Sequence, residues 1–310
     1  MNLLSINDLS TEQITEIFAL ASSPAYRLLR GRIIANLFYE PSTRTRLSFE
    51  LAALRLGADI ITFDAPTSSE QKGESLKDTA FTLQALGADV LVIRHSSSGV
   101  PQQIANWVNC SVINAGDGAH EHPTQALLDL YTMKQWLGRI AGLRVGIVGD
   151  IKHSRVAHSL YLALNKMGAE AVLIGPRELV SSRPGPHVSY DFDAELPNLD
   201  VCYMLRYQGE RHKTEYSPKY EYRLTKERLD VLPSQSIVMH PGPMNRGVEI
   251  DSDVADSPRA WAIESQVKNG IKVRAALIYW LLKEGENAEV LKGSFNDRTR
   301  IYNSGTGTSL

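Results

Sequence analysis

Glu40-Pro41-Ser42-Thr43-Arg44-Thr45-Arg46 lies between an apolar run, Ile33 to Phe38, and an amphipathic one in which Leu47, Leu51 and Leu54 recur before Gly57. The spacing predicts a strand, a tight loop and a helix, with Ser42 at the N-cap and Gly57 as the stop. Arg44 and Arg46 then fall in the first helical turn, where the macrodipole disfavours each cation by roughly 0.3–1 kcal/mol. Two cations make sense there opposite an anion. Free backbone N–H groups, the hydroxyls of Ser42, Thr43 and Thr45 and two guanidiniums together would cradle a phosphate.

Polar groups of the same kind follow other apolar runs. Val90-Leu91-Val92-Ile93 leads straight into Arg94-His95-Ser96. A guanidinium at the tip of a buried strand needs an anion, and a structural carboxylate and a ligand both remain open. His122 precedes Pro123, a residue suited to the first helical position, so its imidazole should be held neutral and able to donate to a carbonyl oxygen. His120 and His122 also form an H-x-H pair, but no further His or Cys nearby completes a zinc shell, and no metal is assigned. Arg155 opens another predicted helix, and the run Val201–Leu205 ends in Arg206-Tyr207-Gln208. Arg155, Arg206 and Gln208 read as a clamp for a dicarboxylate, because guanidinium forks match carboxylates bidentately. Ile237–Met239 ends in His240-Pro241-Gly242-Pro243, a rigid turn suited to a cis Gly–Pro bond. Lys72, in the loop that also carries Ser68, reads on its own as a solvated surface charge. Around Arg144–Asp150 the glycines do not form G-x-G-x-x-G, and Gly175-Pro176-Arg177 stands where an acidic residue belongs, so the dinucleotide fingerprint is absent.

The elements that must position these groups alternate. Short Val- and Ile-rich runs predict strands at Arg32–Phe38, Ala58–Phe63, Ala88–Arg94, Ser111–Asn114, Leu143–Gly149, Ala169–Gly175, Leu199–Leu205 and Ser236–Met239. Helical patterns fall at Thr11–Ser22, Arg44–Leu56, Ser75–Leu86, Pro101–Val108, Pro123–Leu137, Ser154–Met167 and Ser265–Lys283. The expected fold is α/β, with two doubly wound parallel-sheet domains joined by long interdomain helices. Residues 1–135, completed by a C-terminal helix at about 265–284, form the first domain, and residues 136–264 the second. Arg177–Asp191 reads as an irregular loop, and 285–310 as a flexible tail. The 310-residue chain carries a formal net charge of −2 with its charges interspersed, which excludes a nucleic-acid surface or a polybasic membrane patch. Cys110 and Cys202 should pack as small hydrophobes in a reducing compartment, and neither a basic leader nor a membrane-length apolar run is present, so the expected setting is cytoplasmic.

Together these motifs resemble a known family. Ser42-Thr43-Arg44-Thr45-Arg46 resembles the carbamoyl-phosphate signature of the transcarbamoylases, and His122-Pro123-Thr124-Gln125 and His240-Pro241-Gly242-Pro243 resemble further blocks of that family. Order and spacing match over roughly residues 1–284. Phe38–Thr45, Arg206-Tyr207-Gln208 and His240–Glu249 are similar to the aspartate branch. The ornithine branch typically has Met in the first motif and His-Cys-Leu-Pro in the last.

The resemblance implies transfer of the carbamoyl group of carbamoyl phosphate to the α-amine of L-aspartate, the committed step of pyrimidine synthesis, with neither metal nor cofactor. By similarity, Ser42, Thr43, Arg44 and Thr45 bind the phosphate, and Thr45, Arg94 and His122 polarise the carbonyl oxygen. Gln125 and the backbone around Pro241 and Gly242 hold the carbamoyl amide, while Arg155, Arg206 and Gln208 grip the aspartate. Ser68 and Lys72 match residues donated by a neighbouring subunit, which implies a closed homotrimer with shared sites. Association of such trimers with a regulatory chain or a dihydroorotase-like partner is left open. Three readings rank behind. Another amine acceptor would alter the Arg155, Arg206 and Gln208 set, and a non-catalytic scaffold would lack some of these side chains. A nucleotide-dependent oxidoreductase would carry the missing glycine fingerprint.

Overall fold

Nine short runs rich in Val and Ile form two wholly parallel sheets in the computed structural model, which describes residues 1–23, 27–64, 74–180, 186–207 and 220–303. The first sheet has the order β2-β1-β3-β4, from β1 (Ile33–Phe38), β2 (Asp59–Asp64), β3 (Val90–His95) and β4 (Ser111–Asp117). The second has the order β7-β6-β5-β8-β9, from β5 (Arg144–Val148), β6 (Glu170–Ile174), β7 (His187–Ser189), β8 (Val201–Met204) and β9 (Ile237–Met239). The central strands are buried on both faces, which is why they read as unbroken apolar runs rather than as alternation.

Within the sheets α2 (Thr43–Leu56), α3 (Leu76–Ala85), α4 (Val100–Ala105) and α6 (Arg155–Lys166) are the crossovers, while α1 (Thr11–Ser22) precedes β1 and α5 (Pro123–Leu137) joins one sheet to the other. Gly57 ends α2 with φ 74, the left-handed conformation that lets its N–H reach back to Ala53 and Leu54. Three short helices, α7 (Phe192–Glu195), α8 (Lys226–Val231) and α9 (Ser252–Ala255), went unpredicted because none spans the window in which a 3.6-residue period registers, whereas α4, also short, was read within the longer run Pro101–Val108. The edge strand β7, within the stretch read as an irregular loop, is missed for the same reason.

The last helix, α10 (Trp261–Asn303), extends through residues 285–303 of the stretch read as a tail, and residues 304–310 lie outside the described residues. It begins before Ser265 and runs through Gly285, because Glu286, Ala288, Glu289, Leu291 and Lys292 are strong helix formers and one glycine costs only about 1 kcal/mol. Its buried face returns to the first sheet. Val273, Leu277 and Leu281 are fully buried, and Trp280 donates from Nε1 to Glu16 of α1 at 3.0 Å.

One apolar core is continuous from the inner face of the first sheet, through α5 and α10, to the inner face of the second. Two further cores fill the outer faces. The N-terminal residues close the β4 edge. Leu3 N–H donates to Val112 O at 2.9 Å, and Asn114 N–H donates to Leu3 O at 2.8 Å. Among the described residues no helix is long and apolar enough to cross a membrane.

Leu277→Ala empties a site in the core shared by both sheets and should lower stability by about 2–5 kcal/mol, read from chemical denaturation.

Candidate active site

The loops that follow β1, β3 and β4 meet those that follow β5, β8 and β9 across a cleft of about 800 Å³. Among the described residues, five guanidiniums line it, those of Arg44, Arg94, Arg155, Arg206 and Arg274, against a single carboxylate, that of Glu40. The cleft is a receptor for anions.

Ser42 is the N-cap of α2 by its extended backbone, yet its hydroxyl caps no backbone N–H. The first-turn donors are therefore left to a ligand beside the hydroxyls of Ser42, Thr43 and Thr45, all in the cleft wall. Arg44 lies among them. Burial and then Arg206 push its pKa down, and no acceptor within the described residues satisfies it. Gly242 presses its backbone onto this guanidinium. At φ +63, a Cβ there would stand 2.8 Å from Arg44 Cζ. The Gly242–Pro243 bond is cis, as the His-Pro-Gly-Pro turn predicts. Arg46 departs from expectation. It lies toward Glu50, with 3.9 Å between Nε and the carboxylate, and is absent from the cleft wall, so α2 supplies one guanidinium rather than two.

The fifth arginine comes from the far end of the chain. Arg274 of α10 is buried, stacks on Phe49 at 5.1 Å and donates from Nη1 to Ser48 Oγ at 2.6 Å. Burial pushes its pKa down to about 10. The available signal was a cation interrupting the buried face of the last helix.

Of the two anions considered for Arg94, the structural carboxylate is met. Its Nε is 3.5 Å from Glu40 Oε2, and its side chain also lines the cleft. The same Glu40 oxygen accepts from Arg155 Nη2 at 2.6 Å. Glu40 thus ties an arginine on β3 of the first sheet to one that opens α6 against the second. Gly116 packs beneath both, and a Cβ on it would lie 3.1 Å from Arg155 Nε and 3.3 Å from Arg94 Nη1. Arg206 shares the cleft with Arg155. Gln208, Ser68 and Lys72 lie outside the described residues.

His122 is buried at the N-cap of α5, and its pKa is held well below the usual imidazole value. The expected direction is met, although burial is the first cause and Arg94, Arg274 and Arg155 follow it. Its backbone N–H donates to Ser159 Oγ at 2.8 Å, and that hydroxyl donates to Glu121 Oε2 at 2.9 Å. Glu121 also accepts from Ser5 Oγ and from the Ile6 N–H. His120 is half exposed and pairs instead with Asp117 at 3.1 Å. No group of three His, Cys, Asp or Glu that could hold a metal ion occurs among the described residues.

A second polar network stands behind the wall. Gln125 Nε2 and Gln266 Nε2 both donate to Asp129 Oδ1, at 3.0 and 2.7 Å, and Tyr203 Oη donates to Oδ2 at 2.7 Å. Gln266 Oε1 accepts the backbone N–H of His240 at 3.0 Å. His240 Nδ1 accepts from the Gly242 N–H at 2.8 Å, leaving Nε2 to donate to Glu249 at 3.2 Å. Burial raises Asp129 to about 7 against the three hydrogen bonds it accepts. Glu40, Asp129, Tyr203, Glu249, Gln266 and Arg274 were not among the predicted site residues.

Residues 1–135 match the carbamoyl-phosphate-binding domain of the aspartate/ornithine carbamoyltransferase family, and residues 141–281 match its Asp/Orn-binding domain. The aspartate carbamoyltransferase catalytic subunit of Salinispora tropica is 57% identical over 265 residues, covering 82% of this chain and 86% of that one. The catalytic subunit from Acidothermus cellulolyticus is 53% identical over 305 residues, covering 93% and 94%. Among solved structures, aspartate transcarbamoylase from Trypanosoma cruzi in complex with carbamoyl phosphate and aspartate superposes with a TM-score of 0.82 at 32% identity, covering 90% and 94%. The catalytic subunit of the M. jannaschii aspartate transcarbamoylase gives 0.82 at 37% identity, covering 92% and 99%.

Gly242→Ala should lower the affinity for inorganic phosphate about tenfold, since its methyl displaces the Arg44 guanidinium; calorimetric titration reads the change. The raised Asp129 pKa has a second consequence. The native state keeps a proton that the unfolded chain releases at about pH 4, so this contribution to stability is full below pH 4 and lost as pH rises through about 7. Denaturation midpoints of Asp129→Asn, measured from pH 4.5 to 8, should therefore gain on those of the parent chain as pH rises.

Proposed function

The chain belongs to the aspartate/ornithine carbamoyltransferase family, and on that footing we propose that it carries the carbamoyl group of carbamoyl phosphate to the α-amine of L-aspartate, yielding N-carbamoyl-L-aspartate and phosphate. This is the step that commits carbamoyl phosphate to pyrimidine synthesis. The observation that carries the reading is the excess of guanidiniums in one cleft between two sheets. The two substrates bring a phosphate and two carboxylates, and the cleft is built to take all three. Ornithine would bring an ammonium into the same field and be repelled.

Roles follow from position. The phosphate is read onto the first turn of α2, with Ser42, Thr43, Arg44 and Thr45 as donors. Thr45, Arg94 and the neutral imidazole of His122 are read onto the carbonyl oxygen, where negative charge grows as the amine attacks. Neutrality matters, because an imidazole already charged would add to the crowd of cations. Gln125 and the turn at Pro241 and Gly242 take the carbamoyl amide. Arg155, Arg206 and Gln208 grip the aspartate carboxylates and aim its amine at the carbonyl carbon. The tetrahedral intermediate collapses by expelling phosphate, whose charge Arg44 and the helix terminus hold. Residues 1–135 with the first part of α10 form the carbamoyl-phosphate half, and 136–264 the aspartate half. The matched segments support that division.

Ser68 and Lys72 are assigned to the site of a neighbouring subunit in a homotrimer. An unpartnered apolar stripe supports a subunit contact on this half, since Leu47, Leu51 and Leu54 stand exposed along α2. A reducing, cytoplasmic setting fits the two free thiols, Cys110 and Cys202.

Offered carbamoyl phosphate with aspartate, ornithine and other amines in parallel, the protein should form a ureido product with aspartate alone. Product only with another amine would overturn the Arg155 and Arg206 assignment. Lys72→Ala should nearly abolish turnover, and hybrids mixing Lys72→Ala with Arg44→Ala chains should recover part of it. An absence of any recovery would count against a shared site.

A further inference from the structure

The buried network around Asp129 has a direction, and that direction starts at a backbone group. A backbone N–H can only donate. The His240 N–H donates to Gln266 Oε1, so the nitrogen of that amide is the end turned to Asp129 Oδ1. Oδ1 is thereby an acceptor whether or not the carboxyl group carries a proton, because a proton on Oδ2 would donate to the Tyr203 oxygen, whose own hydroxyl proton then turns away. An oxygen that already accepts from one amide accepts from the next, and Gln125 accordingly presents Nε2 to it at 3.0 Å. The orientation of the Gln125 amide follows. Its Oε1, which can only accept, is the end left for the cleft that Gln125 lines.

The surrounding side chains make this orientation matter. Arg44, Arg94, Arg155, Ser42, Thr43 and Thr45 all offer hydrogen-bond donors. A carbonyl oxygen and a phosphate satisfy such donors equally well whether the acyl group ends in a methyl or in an amine. An acceptor is what distinguishes the two, and an acceptor facing a methyl is left unpaired. The relay also pins the turn at Pro241 and Gly242, whose first residue, His240, is the origin of the chain of hydrogen bonds.

We propose that Asp129 is a specificity-determining positioning residue, which holds Gln125 Oε1 toward the cleft and so makes the site select an acyl phosphate bearing N–H donors over an isosteric one bearing a methyl. The inference rests on the carbamoyl-transfer reading and names what enforces its choice of donor substrate.

The test is calorimetric titration of the full chain with carbamoyl phosphate, acetyl phosphate and inorganic phosphate. The parent chain should prefer carbamoyl over acetyl phosphate by about tenfold or more, the worth of one well-made hydrogen bond and the penalty for leaving its acceptor unpaired. Asp129→Leu should lose most of that preference while its affinity for inorganic phosphate stays within about twofold. Asp129→Asn should restore the preference, because its Oδ1 still accepts from both amides while its Nδ2 donates to the Tyr203 hydroxyl. Gln266→Leu, which leaves the carboxylate in place but breaks the link to His240, should lose the preference too, and it carries the test if Asp129→Leu does not fold. Retention of the preference in Gln266→Leu and in a folded Asp129→Leu overturns the proposal. So does failure of Asp129→Asn to restore it, or a loss of phosphate affinity in step with the preference. A parent chain that binds inorganic phosphate but not carbamoyl phosphate overturns the functional reading itself, a result that the variants cannot mimic.

Discussion

Crowded positive charge is the constraint around which this molecule is arranged. Among the described residues, five guanidiniums and one carboxylate line one cleft, and two of the cations, Arg44 and Arg155, stand in the first turns of helices whose dipoles oppose them. Crowding like charges together is costly, and the surrounding structure limits that cost without cancelling it. Glu40 is divided between Arg94 and Arg155. His122 and His240 have their pKa values lowered by burial and add no charge. Glycines at 116 and 242 let main chain lie against guanidinium planes where any side chain would push them aside. Such an arrangement gives up stability so that anionic ligands can supply what the chain withholds.

The two sheets share the work unequally. The first supplies the helix terminus, Arg94 and His122; the second supplies Arg155, Arg206 and the His240 turn. What makes one cleft of them is the layer between, where α5 and α10 contribute both the continuous core and the hydrogen bonds of Gln125, Asp129 and Gln266. The polar network sits at the seam where packing alone would tolerate small slips, and its fully satisfied carboxylate specifies one register.

Legibility in the sequence followed the range over which each signal acts. The eight predicted strands and the long helices were readable because buried parallel strands and amphipathic helices write their periods locally. The strand ends that carry Ser42 to Thr45, Arg94, Arg206 and the Gly242 turn were readable because a polar group directly after an apolar run is conspicuous. Arg274, Asp129 and Gln266 were not, since each lies inside a helix and acquires meaning only from partners as far as 226 residues away, as Arg274 does from Ser48. Glu40 was read as the lead-in to a phosphate loop rather than as the partner of Arg94 and Arg155. Arg46 erred the other way, its pattern promising a ligand contact that the helical rotation sends to Glu50 instead. Beyond Gly285 composition alone did not register the helix, for polar residues of high helical propensity continue one already nucleated as far as Asn303.

The strand-like N-terminal segment has a consequence for the order in which the protein can be completed. Leu3 borders β4 through Val112 and Asn114, and the Ile6 N–H reaches Glu121 across 115 residues. These residues are synthesised ahead of β4 and meet those partners only once the 115 residues that end at Glu121 have followed Ile6. β4 itself is made only at the end of that interval, so a long loop must close before the sheet edge is covered and Glu121 accepts from Ser5 and Ile6. Covering that sheet edge and anchoring the residue beside His122 therefore both depend on contacts of high sequence separation.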